Sequence, residues 1–196
     1  AKIEFRLAKI DPLGNPTTGI NRVRSTLTSQ PEPRDAVKSL SYWSSYKYFN
    51  IWTVKQFAPQ DDGNILLGYA QFPWSGSMST DGVVLLASQM VSGGTLTHET
   101  GHWLGLRHTW GDAFVLFGED GCTLDDGISD TPNASDQAGY ICDFNKNTCS
   151  GDIFGSSEED LPDMVENYMD YSPDNCLNIF TNNLIFIKTR LFLNIL

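Results

Sequence analysis

All three histidines of this chain fall inside one eleven-residue stretch, His98-Glu99-Thr100-Gly101-His102-Trp103-Leu104-Gly105-Leu106-Arg107-His108. On a helix, positions i and i+4 project from one face, so the His98 and His102 imidazoles point the same way. Glu99 sits one step around. Gly105 stands where a helix commonly ends in a residue of positive φ, and the sharp turn beyond it returns His108 as a third nitrogen. The pattern predicts a helix from about Thr95 to Leu104, with Thr95 as its N-cap after Gly93-Gly94. A lone histidine on an apolar face is more often a satisfied core residue, and a bare H-E-x-x-H arises by chance. The glycine and third histidine at fixed offsets turn the balance toward a metal site. Three neutral imidazoles suit zinc, and they leave a fourth position open for water, as in catalytic rather than closed structural sites. Glu99 is then placed as general base.

The rest of the N-terminal half reads as α/β. Ile3, Phe5 and Leu7 alternate with Lys2, Glu4 and Arg6, a period of two that predicts a half-buried strand. Asp11-Pro12-Leu13-Gly14-Asn15-Pro16 is a turn. Residues 34–47 are expected to be helical, with Pro31 and Pro33 barring an earlier start. Tyr48–Phe57, Asn64–Phe72 and Gly82–Ser88 read as strands. Residues 111–165 are rich in Gly, Asp, Ser, Thr and Asn with little periodicity, a long irregular segment of the kind that is disordered or functional. Asn133-Ala134-Ser135 is a sequon of a kind common by chance.

A chain of 196 residues suits one domain or two tightly joined lobes. Its net charge of −11 argues against nucleic acid, which needs clustered Lys and Arg, and against anionic membranes. Acidity of this order serves solubility first, and cation binding or attraction of basic substrates second. No signal peptide is visible, and a mature fragment stripped of targeting and pro-segments is expected. The apolar run Asn183–Leu196 is interrupted by Lys188, Arg190 and Asn194, is too short to span a bilayer, and reads as a terminal helix with Thr181 as its N-cap. A monomer is expected, because no long apolar stripe is left unassigned.

Cys122, Cys142, Cys149 and Cys176 all follow the histidine motif and include no C-x-x-C, so a four-thiolate site is disfavoured. An even number in a loop-rich half predicts two disulfides and an oxidising compartment, with three connectivities open. Each bridge is worth roughly 3–4 kcal/mol through the unfolded chain.

Asn167-Tyr168-Met169-Asp170-Tyr171-Ser172 is the second motif. A methionine between tyrosines is ordinary core by itself, but downstream of the histidine signature it is specific. With it the chain resembles the pappalysin family of metzincin zinc metallopeptidases over nearly its whole length. The resemblance is carried by Phe5-Arg6-Leu7-Ala8, Pro16-Thr17-Thr18-Gly19-Ile20, Leu67-Gly68-Tyr69-Ala70-Gln71-Phe72-Pro73, Thr97 to Thr109, Ser129-Asp130-Thr131-Pro132, the Met169 segment and Phe180-Thr181. It implies an α+β metzincin-like catalytic domain of two lobes. The upper lobe (1–105) has a twisted sheet, a backing helix and the active-site helix. The lower lobe (106–196) is irregular and disulfide-stapled, with a C-terminal helix. The substrate would lie in the cleft between them.

The same resemblance implies zinc on His98, His102 and His108, Met169 as an apolar floor beneath it, and disulfides Cys122–Cys149 and Cys142–Cys176. It implies calcium near Asp126 and Thr131 with carbonyl oxygens completing the shell. Glu99 would take a proton from the attacking water and deliver one to the leaving amine. Tyr171 would hydrogen-bond the oxyanion. An extended peptide would pair with the edge strand at Gly68-Tyr69-Ala70. Relatives that prefer Arg or Lys after the cut carry an acidic residue beside the cysteine that follows the methionine. Here Asn175 holds that position and Asp174 lies one step earlier, which predicts tolerance for Arg or Lys. The expected protein is therefore a secreted zinc endopeptidase acting on proteins or peptides. The alternatives are a calcium-stabilised binding module, which Glu99 beside all three histidines disfavours, and another metzincin family with other disulfides.

Overall fold

In the computed structural model the described residues are 3–60, 63–112, 121–124, 126–139, 141–150 and 160–183. They form two compact units, Ala1–Trp103 and Leu104–Leu196.

The first unit is built on a three-stranded mixed sheet of β1 (Ile51–Val54), β2 (Gly68–Ala70) and β3 (Val83–Leu86), in the order β1-β3-β2. β3 is central, and its Val83, Val84 and Leu85 are wholly buried, as a strand covered on both faces requires. β1 runs parallel to it with Ile51 opposite Val83, and β2 runs antiparallel with Gly68 opposite Leu85. β1 alternates, exposing Ile51 and Thr53 and burying Trp52 and Val54. Trp52 and Val54 join Val37, Phe57 and Val84 in the core, with Tyr69 and Leu66 against them. The helix α1 (Gly94–Trp103) packs on β2 and β3.

Several expectations give way here. The three strands lie inside the predicted segments but are shorter. Residues 3–7 belong to no strand among the described residues, and Phe5 and Leu7 are 51% and 58% exposed. Alternation reports which way side chains point and not whether a neighbouring strand exists. The expected helix over 34–47 is a 3₁₀ helix, Arg34–Leu40. It stops because the Asn50 side chain takes both backbone groups of Trp43: Oδ1 accepts its N–H at 3.0 Å and Nδ2 donates to its carbonyl at 2.7 Å. Thr95 is not the N-cap. It lies inside the first turn of α1, and its hydroxyl donates to Gln89 Oε1.

The described residues of the second unit are irregular, with only a turn of helix entered at Asn182–Asn183. The expected C-terminal helix otherwise lies outside the described residues, as does part of the long 111–165 segment. Disulfides Cys122–Cys149 and Cys142–Cys176 tie this unit, with Cα separations of 5.4 and 5.8 Å. This is the pairing the family resemblance implies. Small clusters replace a single core: Leu106, Ile128 and Met169 in one, and Ala138, Val165 and Cys176 in another. Buried Asp163 accepts from both the Thr148 N–H and its hydroxyl, supplying the satisfaction that a ladder would otherwise give. Among the described residues, no helix is long and apolar enough to cross a membrane.

Candidate metal centre

α1 carries the centre, and its sequence explains how. Thr97 and Thr100 turn their hydroxyls back onto the carbonyls of Gly93 and Leu96, a bond that satisfies a hydroxyl inside a helix. His98, Glu99 and His102 are all 7% exposed. The His98 and His102 rings meet edge to face, with their Nε2 atoms 3.1 Å apart. Gly105, at φ 92°, ends the helix as expected. Within this continuous segment the ligand nitrogens of His98, His102 and His108 all lie within 4.8 Å of one another. Imidazole nitrogens gathered this closely suit a shared cation, and a borderline-soft one of zinc's type fits that set.

Two of the three histidines, His108 and His102, are packed by neighbours that sequence reasoning missed. His108 Nδ1 is hydrogen-bonded to Asp112 Oδ1. A carboxylate on one ring nitrogen fixes the tautomer and leaves the other for a metal. Asp112 takes this position at φ 61° after Gly111 at φ 65°, a left-handed pair that only the local Gly-Asp dipeptide hinted at. Trp110 stacks on His108 at 4.3 Å with the planes 3° apart. On the helix, the Phe72 ring lies 5.0 Å from that of His102. Trp103 is held by Asp81, whose Oδ1 accepts its indole N–H at 3.1 Å, and it stacks on Phe49.

Glu99 faces β2. A Cβ on Gly68 would lie 3.2 Å from Glu99 Cγ and 2.5 Å from Leu85 Cδ2, so the absence of a side chain there lets the strand approach Glu99 closely. Burial pushes the Glu99 carboxyl up to about 8, and the Arg34 guanidinium partly opposes this. Next on the strand, the Tyr69 hydroxyl donates to Asp35 Oδ1 and to the Arg34 carbonyl, and Arg34 lies over its ring at 4.3 Å. Tyr69 is thus turned to the core side and Ala70 is half-buried.

In the second unit, Tyr171 is half-buried, edge-on to His108 at 4.8 Å and to Trp110 at 5.0 Å. Met169 is fully buried between Leu106 and Ile128. Its turn is closed by Asn167 Oδ1, which accepts the Met169 N–H at 3.0 Å, and the Thr109 N–H donates to the Met169 carbonyl at 3.3 Å. Asp126 is buried, and its Oδ1 accepts the Ile128 N–H at 2.7 Å. Thr131 is 1% exposed, and neither its hydroxyl nor Asp130 Oδ1 has a hydrogen-bond partner among the described residues. Asp174 and Asn175 are exposed.

A helix carrying H-E-x-x-H, a third histidine in the same nitrogen cluster and a mixed α+β frame define a metallopeptidase class of protein. The family model of peptidase M43, described as pregnancy-associated plasma protein-A, matches residues 34–191, and the chain belongs to this pappalysin family. An extracellular metalloprotease of Verticillium alfalfae is 37% identical over 196 residues, covering 91% of this chain and 57% of that protein. One of Colletotrichum graminicola is 40% identical over 159 residues, covering 74% and 50%. The chain spans about half the length of these curated relatives. Among solved structures, mature mirolysin of Tannerella forsythia in complex with a cleaved peptide superposes with a TM-score of 0.76 at 35% identity. It covers 96% of this chain and 70% of that one.

Proposed function

We propose that this chain is an extracellular zinc-dependent endopeptidase domain acting on proteins or peptides. The observation that carries the reading is the convergence of the His98, His102 and His108 nitrogens within 4.8 Å, on a helix that also buries Glu99. His98, His102 and His108 hold the metal. Zinc bound there supplies Lewis acidity, polarising a carbonyl and lowering the pKa of water toward about 7.

The chain's own residues supply the rest. Glu99 accepts the proton of the attacking water and passes it to the leaving amine. Tyr171, held edge-on to His108, donates its hydroxyl to the oxyanion of the tetrahedral intermediate. Met169 packs as the apolar floor. The Gly68-Tyr69-Ala70 backbone pairs with an extended substrate, since β2 takes an outer position in the sheet and Tyr69 is turned away to Arg34 and Asp35. Asp174 and Asn175, both exposed, accommodate Arg or Lys after the scissile bond.

Calcium in the second unit fits the donor set, with the buried Asp126 carboxylate and the partnerless Thr131 hydroxyl as its side-chain ligands. The relatives named extracellular metalloproteases and the two disulfides support an oxidising, extracellular location. The acting form is a single catalytic domain and a monomer, needing neither nucleic acid nor membrane.

Metal content tests the reading. Purified wild type should carry one zinc per chain, and His102→Ala should lose it while keeping its fold by circular dichroism. A wild type that takes up no zinc after dialysis against the metal would sink the proposal.

A further inference from the structure

Trp74 is 65% exposed, yet the loop that carries it is tightly built. Gln71 is its hub. Gln71 Oε1 accepts from the Thr80 hydroxyl at 2.6 Å, its Nε2 donates to the Ser77 carbonyl at 3.0 Å, and its backbone N–H donates to the Gly82 carbonyl at 3.1 Å. Gly76 closes on that amide at φ +69°, where a Cβ would lie 2.4 Å from Gln71 Oε1. The Ser75 N–H donates to the Phe72 carbonyl at 3.0 Å, and this turn lays Trp74 over Phe72 with ring centroids 4.8 Å apart and planes 23° apart. The Phe72 ring in turn lies 5.0 Å from that of His102. An aromatic path therefore runs from solvent at Trp74, through Phe72, to a histidine of the metal centre.

We propose that Trp74, stacked on Phe72 beside His102, is a specificity-determining residue that receives an apolar side chain, aromatic above all, of the peptide substrate. The inference rests on the peptidase reading above. The occupant follows from where the path leads: a ligand side chain on Trp74 belongs to whatever lies at the metal centre. The loop begins where β2 ends, at Ala70. We take the added strand as antiparallel to β2, so its N-terminal direction points toward that end and the side chain received lies upstream of the scissile bond. The ordering of the loop is complete before the substrate arrives, which spares the affinity the cost of fixing it. Indole on a rigid turn offers a large contact area with few torsions left to freeze.

The test joins a cleavage profile to a binding measurement. The zinc-loaded wild type, Trp74→Ala and Trp74→Phe are profiled on a peptide library. A peptide with Phe at the preferred upstream position is then compared with its Ser counterpart. Trp74→Ala should lower the Phe-to-Ser ratio of kcat/KM about 3- to 10-fold, the order expected for one aromatic stacking contact, and Trp74→Phe should keep most of it. In the Glu99→Ala background, where chemistry is removed, Trp74→Ala should raise Kd for the Phe peptide by a similar factor. Equal ratios in wild type and Trp74→Ala, with equal Kd values, would overturn the assignment and leave Trp74 a surface aromatic. A zinc-loaded wild type that cuts no peptide would overturn the peptidase reading and this assignment with it.

Discussion

Gly68 packs closely on Glu99: a Cβ at position 68 would stand 3.2 Å from Glu99 Cγ, 3.1 Å from the Val84 carbonyl and 2.5 Å from Leu85 Cδ2. The carboxylate of the helix motif is thus placed by a strand residue some thirty positions earlier in the chain. Gly68→Ala should turn the Leu85 side chain, whose Cδ2 stands nearest, and press Glu99 Cγ aside by a few tenths of an ångström. The expected result is a lower kcat, with a stability loss of about 1–3 kcal/mol from overpacking. Steady-state kinetics and urea unfolding of the same preparation check it, and an unchanged kcat would show that Glu99 tolerates the displacement.

Tyr171 keeps its ring packing without its hydroxyl, because its contacts to His108 and Trp110 are made by the ring. Tyr171→Phe should therefore fold and bind zinc normally while kcat drops about 10²-fold, the cost of removing one donor to an oxyanion. A normal kcat would remove Tyr171 from the mechanism.

Asp170 gives a pH signature. It is 2% exposed and its Oδ1 accepts the N–H groups of Ala138 and Tyr171. Burial outweighs those bonds and pushes its carboxyl up to about 6. The folded state then holds this proton at pH values where the unfolded chain, titrating near its ordinary 3.8, has lost it. Stability from this group is present below about pH 4 and is lost as pH rises through about 6. Asp170→Asn has no such window and keeps an acceptor oxygen. Between pH 4 and 6.5 the wild type should lose roughly 2–3 kcal/mol relative to Asp170→Asn. Parallel denaturation curves at the two pH values would contradict this.

The second unit depends on its bridges. Cys142 and Cys176 close a loop of sequence separation 34, and Cys176 is buried against Ala138 and Val165. The double substitution Cys142→Ser and Cys176→Ser should cost about 3–4 kcal/mol and expose the second unit to limited proteolysis. Unchanged proteolytic resistance would mean the small clusters hold this unit without the bridge.

What could be read in the sequence was local and periodic. The spacing of His98, His102, Gly105 and His108 encodes a helix face and its end, and both are found. The apolar run at Val83–Leu86 encodes a strand buried on both sides. The failures are long-range. Nothing local says that Phe5 and Leu7 lack a neighbouring strand, or that Asn50 will capture Trp43 and cut the helix at Leu40. Lysines are seldom fully buried, yet Lys38 is 2% exposed, donating to the Thr80 carbonyl at 2.7 Å and paired with Asp35. The motif names the three histidines but not Asp112, Phe72 or Trp110. They pack on His108 and His102 through a left-handed turn and ring contacts, which leave no period to find.

The most direct measurement is cleavage of an unfolded protein substrate by the wild type and by Glu99→Ala, each with and without a zinc chelator. The account predicts cleavage by the metal-loaded wild type alone, abolished by the chelator and restored by added zinc. It predicts a loss of at least about 10²-fold in Glu99→Ala, with zinc content unchanged. Cleavage that survives in Glu99→Ala or in the chelator, or a zinc-loaded wild type with no cleavage, would contradict it.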